Sequence, residues 1–326
     1  MILFFALLIT TGKCPAQSPT TVSASDSEIG AQTPTPDPVE TAEEDPGLFD
    51  TGKGNRGVLI ATIALMGIGL TAGIGWAIYT FVRFKPLNHN TAPKRGMKVP
   101  IVLAIGAYLL IFIQLLALTG IASQFVPPDS VWMRLGTTVY HQVLLGAVSL
   151  PMIAGFMNKP TLPSLLPTSS RKTAADIGRS LLGYLCIWPW TMLLLAATLF
   201  LIKQYNLPDP RTNEMLLMMK EASPMQLTVI AASACVLAPI AEEMYFRGVL
   251  QSVARDHLKS PLRAMLIVSA VFTFVHLPFW QDFPSLFALS LVMGYCYERS
   301  GRLLVPILIH ALFNTTSIIF TLVQLG

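Results

Sequence analysis

The sequence predicts an all-α fold: a polytopic transmembrane helix bundle of about eight spans, with a disordered N-terminal tail. Three observations predict it. Of the 326 residues, 53% are hydrophobic and only 12% charged, where soluble domains carry about 25% charged residues; mean hydropathy is +0.59. Eight apolar segments recur at roughly the length a bilayer needs, ~17–25 residues, the seventh being short. Basic residues gather in alternate connections between those segments, the asymmetry that orients membrane proteins. The net charge of +4 is modest and spread over loops rather than one patch. That distribution speaks for topology and against nucleic-acid binding.

Residues 1–17 open with an apolar run, Ile2 to Ile9, that is too short to span. The following Cys14-Pro15-Ala16-Gln17-Ser18 resembles a cleavable region, so a signal peptide is the expectation, against a mis-assigned start or a short anchor. A positive leading region is missing, and Lys13 before Cys14 does not fit a lipobox. Residues 18–52 combine Ser, Thr and Pro with Asp26, Glu28, Asp37, Glu40, Glu43, Glu44, Asp45 and Asp50, and hold no aromatic before Phe49. Such a segment cannot bury enough apolar surface to fold, and reads as an acidic tether.

Residues 53–223 are expected to hold four transmembrane helices, at 57–82, 101–123, 135–157 and 177–202. Within the first, Gly67, Gly69, Gly73 and Gly75 allow close helix packing. Gln114 and His141 read as interhelical hydrogen-bonding groups, and Trp76, Trp188 and Trp190 as packing or interfacial residues. A second unit, 224–322, holds spans at 225–246, 262–278, 284–298 and 303–323. Connections at 83–100, 158–179, 247–263 and 298–302 carry most Lys and Arg, while 124–134, 203–223 and 279–283 carry only Arg134, Lys203, Arg211 and Lys220. This places both termini outside the cytoplasm, as an exported tail requires. His89 and His257 are assigned to loops. The four cysteines, Cys14, Cys186, Cys235 and Cys296, form no CxxC pair and read as small core residues.

Against this apolar background, Glu242, Glu243 and Arg247 stand out, because Leu227 to Ile240 carries no charge at all. A charge at the bilayer centre costs ~2.5–3.5 kcal/mol even on the lenient insertion scale, so such a cluster marks a functional site by default. Arg247 lies four residues after Glu243 and can pair with it along one helix face. Glu242 projects about 100° away, free to face a cavity. A purely structural ion pair is the plainer reading, but two adjacent acids exceed what one arginine needs.

His276 ends the run Phe272-Thr273-Phe274-Val275-His276; alone it reads as a buried core histidine. With a reversal near His257–Pro261, however, Glu242 and His276 each lie ~21 Å from the turn on adjacent antiparallel helices, hence at one depth. His310 and Asn314, four apart, share a helix face and should point into the bundle. Together these side chains supply a carboxylate, two imidazoles and a carboxamide.

The ordered blocks Glu-Glu-x-x-x-Arg, Phe-x-x-x-His and His-x-x-x-Asn, set in charge-poor helices, resemble the CAAX protease and bacteriocin-processing (CPBP, or Abi) family of intramembrane proteases, of the Rce1-like kind. The match covers about the last hundred residues, from Met225 to Leu322; Phe246-Arg247-Gly248 and Leu250-Gln251 also fit it. The first four spans carry no recognisable signature. The resemblance implies endopeptidase activity on a membrane-associated protein or peptide, a prenylated CAAX peptide being one class of substrate. It implies Glu242 as the water-activating base, with His310 and Asn314 positioning the water or polarising the scissile carbonyl, in a site that also includes Glu243, Arg247 and His276. It leaves the metal open. A divalent ion such as zinc on Glu242, His276 and His310 would leave one open position, although no His-Glu-x-x-His helix is present. In the metal-free version Glu242 deprotonates water directly.

The implied partners are the lipid bilayer and a protein or peptide substrate at the membrane, with no nucleic acid. The site is expected in the cytoplasmic half of a bacterial inner membrane, reached by water from the cytoplasmic side. Two other functions fit the same residues: a catalytically silent scaffold or immunity partner, and a proton-coupled transporter, though the inverted repeat expected of a transporter is not visible.

Overall fold

Inside lipid every backbone N–H and C=O must be paired within its own segment, which leaves the helix as the form open to these long apolar runs. Every described element is indeed helical. The computed structural model describes residues 97–128, 130–156, 169–207, 214–276 and 280–325, plus isolated positions between 64 and 75. The expected signal peptide and acidic tail, and most of the first apolar segment, fall outside the described residues.

The helices are α1 (Ile101–Ala122), α2 (Val131–Phe156), α3 (Ser170–Gln204), the short α4 (Glu214–Glu221), α5 (Pro224–Leu258), α6 (Pro261–Phe274), α7 (Phe283–Ser300) and α8 (Leu304–Leu325). Among the described residues, five of these, α1, α2, α3, α5 and α8, are long and apolar enough to cross a membrane. α6 is a shorter apolar helix of 14 residues, and α7 has 18 with Glu298 and Arg299 near its end.

Local chemistry sets the boundaries. Ser223 and Gln226 form a capping box at the start of α5, with Pro224 in the first turn. At its end Lys259 turns left-handed with φ 51°, and Ser260 accepts from the Arg263 N–H to cap α6. The chain thus reverses where the sequence predicted. Gly301, at φ 69°, ends α7 in the left-handed conformation that glycine adopts most freely.

α5 is the spine of the bundle. It packs on α1, α2, α6 and α8, while α7 lies against α3, α6 and α8. The core gathers around Tyr245, Phe246, Val249, Phe272, Leu289, Met293, Tyr297, Val305 and Ile309. On α1 the outward residues Val102, Leu109, Leu110 and Ile113 are exposed, as a lipid-facing surface requires. Two side-chain anchors tie α1 to the spine: Tyr245 donates to the Ala104 carbonyl (2.8 Å), and Asp256 accepts from the Met97 N–H (2.7 Å).

Three expectations need correction. The segment around His257 is not a loop, because α5 continues through it and His257 Nδ1 donates to the Val253 carbonyl at 2.9 Å. For the same reason Arg247 and Arg255 are not solvated loop cations. Both are buried and ion-paired, to Glu243 and Glu298, so they carry no weight in the charge asymmetry. Gln114 is exposed on α1 rather than engaged between helices. His141 is buried, edge-on to the Tyr108 ring at 6.3 Å.

The glycine pattern of the first apolar segment is half explained. A methyl group at Gly69 would collide with the Pro189 ring and the Leu185 carbonyl, both rigid, whereas one at Gly67 meets nothing within 4 Å. Gly69→Ala is therefore expected to destabilise by ~1–3 kcal/mol through overpacking, with Gly67→Ala near neutral. Thermal unfolding in detergent compares the two.

Candidate active site

Glu242 lies near the middle of α5, 16 residues or ~24 Å before its end. The helix is not regular there. π-helical turns at Ser233–Leu237 and Met244–Gln251 bracket a short α-helical stretch, Ala238–Glu243. Single π-turns of this kind occur often at functional sites, where they re-aim side chains.

The two acids are sorted as their 100° separation suggests. Glu243 is completely buried and held twice: Arg247 Nε lies 3.2 Å from Oε2, and His310 Nδ1 lies 3.0 Å from Oε1. Arg247 is buried too, and Nη2 donates to Ser290 Oγ (2.9 Å) and to the Ser290 carbonyl (3.2 Å) on α7. Its guanidinium sits over the Phe272 ring, 5.0 Å from the centroid. Glu242 turns the other way. Its Oε2 lies 3.9 Å from His276 Nε2, and that oxygen has no hydrogen-bond partner among the described residues, nor does Arg247 Nη1. Buried polar atoms left unbonded by the protein need an explanation, and an unfilled role toward a ligand is one.

His276 follows the last turn of α6, where helix carbonyls run out of partners. Its Nδ1–H donates to one of these, the Phe272 carbonyl, at 2.5 Å. A carbonyl only accepts, so the proton of the neutral ring sits on Nδ1 and Nε2 offers a lone pair toward Glu242. The same logic applies to His310, whose Nδ1–H donates to the Glu243 carboxylate. The Phe272 ring organises the group, with the His276 ring at 4.4 Å, Phe246 at 5.0 Å and His310 edge-on at 6.0 Å.

Asn314 lies one turn beyond His310 on α8, and its Nδ2 donates to the Ala234 carbonyl at 2.7 Å. Helices α5, α6 and α8 therefore bring Glu242, Glu243, Arg247, His276 and His310 into one cluster, while Asn314 is bonded to the backbone eight residues before Glu242. Sequence reasoning passed over Ser290 and the role of the Phe272 ring. A serine on a neighbouring apolar helix carries no spacing signal, and the phenylalanine was visible only as the first letter of its block.

The donor chemistry partly suits a metal, since histidines that bind metals also donate Nδ1–H to a carbonyl or carboxylate. Yet among the described residues no three His, Cys, Asp or Glu side chains gather closely enough to hold an ion. The set Glu242, His276 and His310 does not meet that geometry, and no step below passes through a metal.

A second buried ionic group lies two turns further along the α5–α7 interface. Gln251 Nε2 donates to Glu298 Oε1 (2.9 Å) and to the Gly294 carbonyl (3.1 Å), and Arg255 Nη1 lies 3.2 Å from Glu298 Oε2. It ties α7 to the spine below the site and offers no unbonded acid toward it.

Comparison with known families bears on these same helices. Residues 224–316 match the family described as type II CAAX prenyl endopeptidase Rce1-like. Over that stretch the chain is similar to an Rce1-like domain. The matched stretch begins at the first residue of α5 and ends within α8, so it contains all the clustered side chains. No curated protein and no solved structure matches the chain. The five apolar helices among the described residues, together with this similarity to a membrane protease family, support an integral membrane protein.

If Ser290 fixes Arg247, Ser290→Ala should lower stability by ~1.5–3 kcal/mol, the size of a hydrogen bond to a charged group. Denaturation of the purified protein in detergent measures it. A shift under ~0.5 kcal/mol, the range of ordinary surface substitutions, would show that the Ser290 carbonyl alone suffices.

Proposed function

We propose that the chain is an intramembrane endopeptidase that hydrolyses a peptide bond in a membrane-associated protein or peptide, with prenylated CAAX peptides as one substrate class. The observation that supports this best is the pairing of Glu242 with His276. An unbonded carboxylate oxygen and an imidazole lone pair face each other at 3.9 Å, a separation one water can bridge with two ordinary hydrogen bonds of ~2.8 Å.

In this reading Glu242 removes a proton from the bridging water as its oxygen attacks the scissile carbonyl carbon. The carbonyl oxygen takes the negative charge of the tetrahedral intermediate. In this reading two donors meet it: Arg247 Nη1–H, which no protein group among the described residues engages, and His310 Nε2–H once the ring beside the Glu243 carboxylate takes a second proton. Collapse breaks the C–N bond, and the proton held by Glu242 passes to the leaving amine. Glu243 takes no proton in this scheme. It orients His310, much as the aspartate of a hydrolytic triad orients its histidine.

The test is cleavage of a membrane-anchored peptide, prenylated or not, by the purified full chain in liposomes, with ¹⁸O-labelled water. The expected result is one ¹⁸O in the new carboxyl group and loss of cleavage in His276→Ala. A full chain that cleaves nothing, or a His276→Ala variant as active as the parent, would refute it. Dialysis against a chelator is expected to leave activity intact; loss restored by added zinc would transfer the water-activating role to a metal. Access from the cytoplasmic side and an exported N-terminal tail belong to the same reading. Membrane-impermeant thiol reagents applied from each side to cysteines placed near Glu242 test that orientation.

A further inference from the structure

The first π-turn of α5 leaves one backbone carbonyl without a helical partner. In a regular α-helix the Ala234 carbonyl would accept from the Ala238 N–H. Here the Ala238 N–H goes instead to Ser233, five residues back. In that wider register the partner of Ala234 is residue 239, which is proline and has no N–H. Both helical routes are closed, in a segment surrounded by apolar side chains where an unbonded carbonyl is costly.

The Asn314 carboxamide fills the vacancy, Nδ2 donating to Ala234 O at 2.7 Å. From the α2 side Gln142 accepts from Ser233 Oγ at 2.8 Å, and this pair is also buried. One turn of α5 is thus held by polar side chains from two different neighbours. What the turn controls is the azimuth of everything after it. A π-turn inserts one residue, and one residue is about 100° of rotation. If the turn relaxed into regular α-helix, the stretch carrying Glu242 and Glu243 would rotate by that angle, the same angle that separates the two acids.

We propose that Asn314 is a positioning residue: by capping the Ala234 carbonyl it stabilises the π-turn that aims Glu242 at His276 and Glu243 at Arg247 and His310. The inference rests on the peptidase reading for its kinetic consequence, while the bond itself is independent of any activity. It concerns the Nδ2 donor alone and adds a structural task to the role implied by the motif resemblance.

The proline supplies the test. Pro239→Ala returns an N–H at the position from which the π register reaches Ala234 O. The full chain is prepared in detergent as wild type, Asn314→Ala, Pro239→Ala and the double variant. For each, Tm is measured together with kcat and KM on one peptide, well below the lowest Tm. Asn314→Ala is expected to lower Tm by about 2–8 °C, from the cost of one unbonded buried carbonyl, and to lower kcat roughly tenfold with little change in KM. Pro239→Ala alone is expected to keep activity, and in the double variant to recover most of both losses. Asn314→Leu, of similar volume and without a donor, should behave as Asn314→Ala does.

Additive effects would overturn the proposal, as would loss of kcat without loss of Tm, since Asn314 would then act on the substrate directly. If Asn314→Ala yields no folded protein, recovery of yield by Pro239→Ala supports the cap and failure to recover it refutes it. Should the wild type cleave nothing, the peptidase reading fails, while non-additivity in Tm alone still decides the role of Asn314.

Discussion

Glu242→Gln is expected to lower peptide cleavage ~10²–10⁴-fold, the contribution of a positioned general base, while leaving Tm almost unchanged. The amide has the shape of the acid and can still bond a water, but it cannot accept the proton. Because Oε2 of Glu242 has no hydrogen-bond partner among the described residues, the exchange breaks no hydrogen bond at that oxygen. Glu243→Gln should do the reverse in part. That acid neutralises Arg247 and orients His310, so its loss leaves a buried guanidinium without its counter-charge and costs several kcal/mol. Activity then falls through misplacement of His310. Two adjacent glutamates would be separated by assay: one variant folded and inactive, the other unstable. Steady-state cleavage and thermal denaturation on the same preparations make the comparison. A stable, inactive Glu243→Gln beside an active Glu242→Gln would exchange the roles and refute the scheme.

Much of this division was legible before any coordinates. Charge scarcity makes each ionisable residue of 224–322 conspicuous, and helical periodicity then separates Glu242 from Glu243 and pairs Glu243 with Arg247. The equal distances of Glu242 and His276 from the turn held because α5 and α6 are joined by a tight reversal at Lys259 and Ser260, which leaves no slack for one helix to slide.

What the sequence hid follows from the same physics. A π-turn adds one residue to a helix without altering its hydrophobicity, so neither turn of α5 has a signature in composition. Pro239 inside an apolar run was the available signal, and it becomes informative only when the register of its neighbours is known. The length of α5 was obscured by its charges. Arg247, Arg255 and Asp256 look like the start of a solvated loop, and only the partners on α7 and before α1, namely Ser290, Glu298 and the Met97 N–H, show that they belong to a helix with both arginines buried and Asp256 half-buried. Spacing reports which face a residue shares and not which atom its side chain bonds, so the Asn314 bond to the Ala234 carbonyl had no signal in the sequence.

Arg247→Met should be the most damaging single change to the fold, at about 3–5 kcal/mol. Methionine fills much of the volume, so the loss is electrostatic rather than a matter of packing. Glu243 would remain fully buried, with the His310 imidazole as its one counter-group among the described contacts, and the Ser290 hydroxyl and carbonyl would lose their donor. The contact over the Phe272 ring would also lose its charge. The informative variant is the double one. Removing both charges, as Glu243→Gln with Arg247→Met, eliminates the uncompensated ion and should recover most of the stability, because a buried pair is often replaceable by neutral groups of similar volume. Cleavage should not recover with it, since His310 would then face an amide and Arg247 Nη1, one of the two oxyanion donors, would be gone. Chemical denaturation of the three variants measures the coupling, and cleavage of the same peptide measures what it serves. If the double variant regained activity along with stability, the Glu243–Arg247 pair would be a strut and nothing more, and Glu242 with His276 would have to account for catalysis alone.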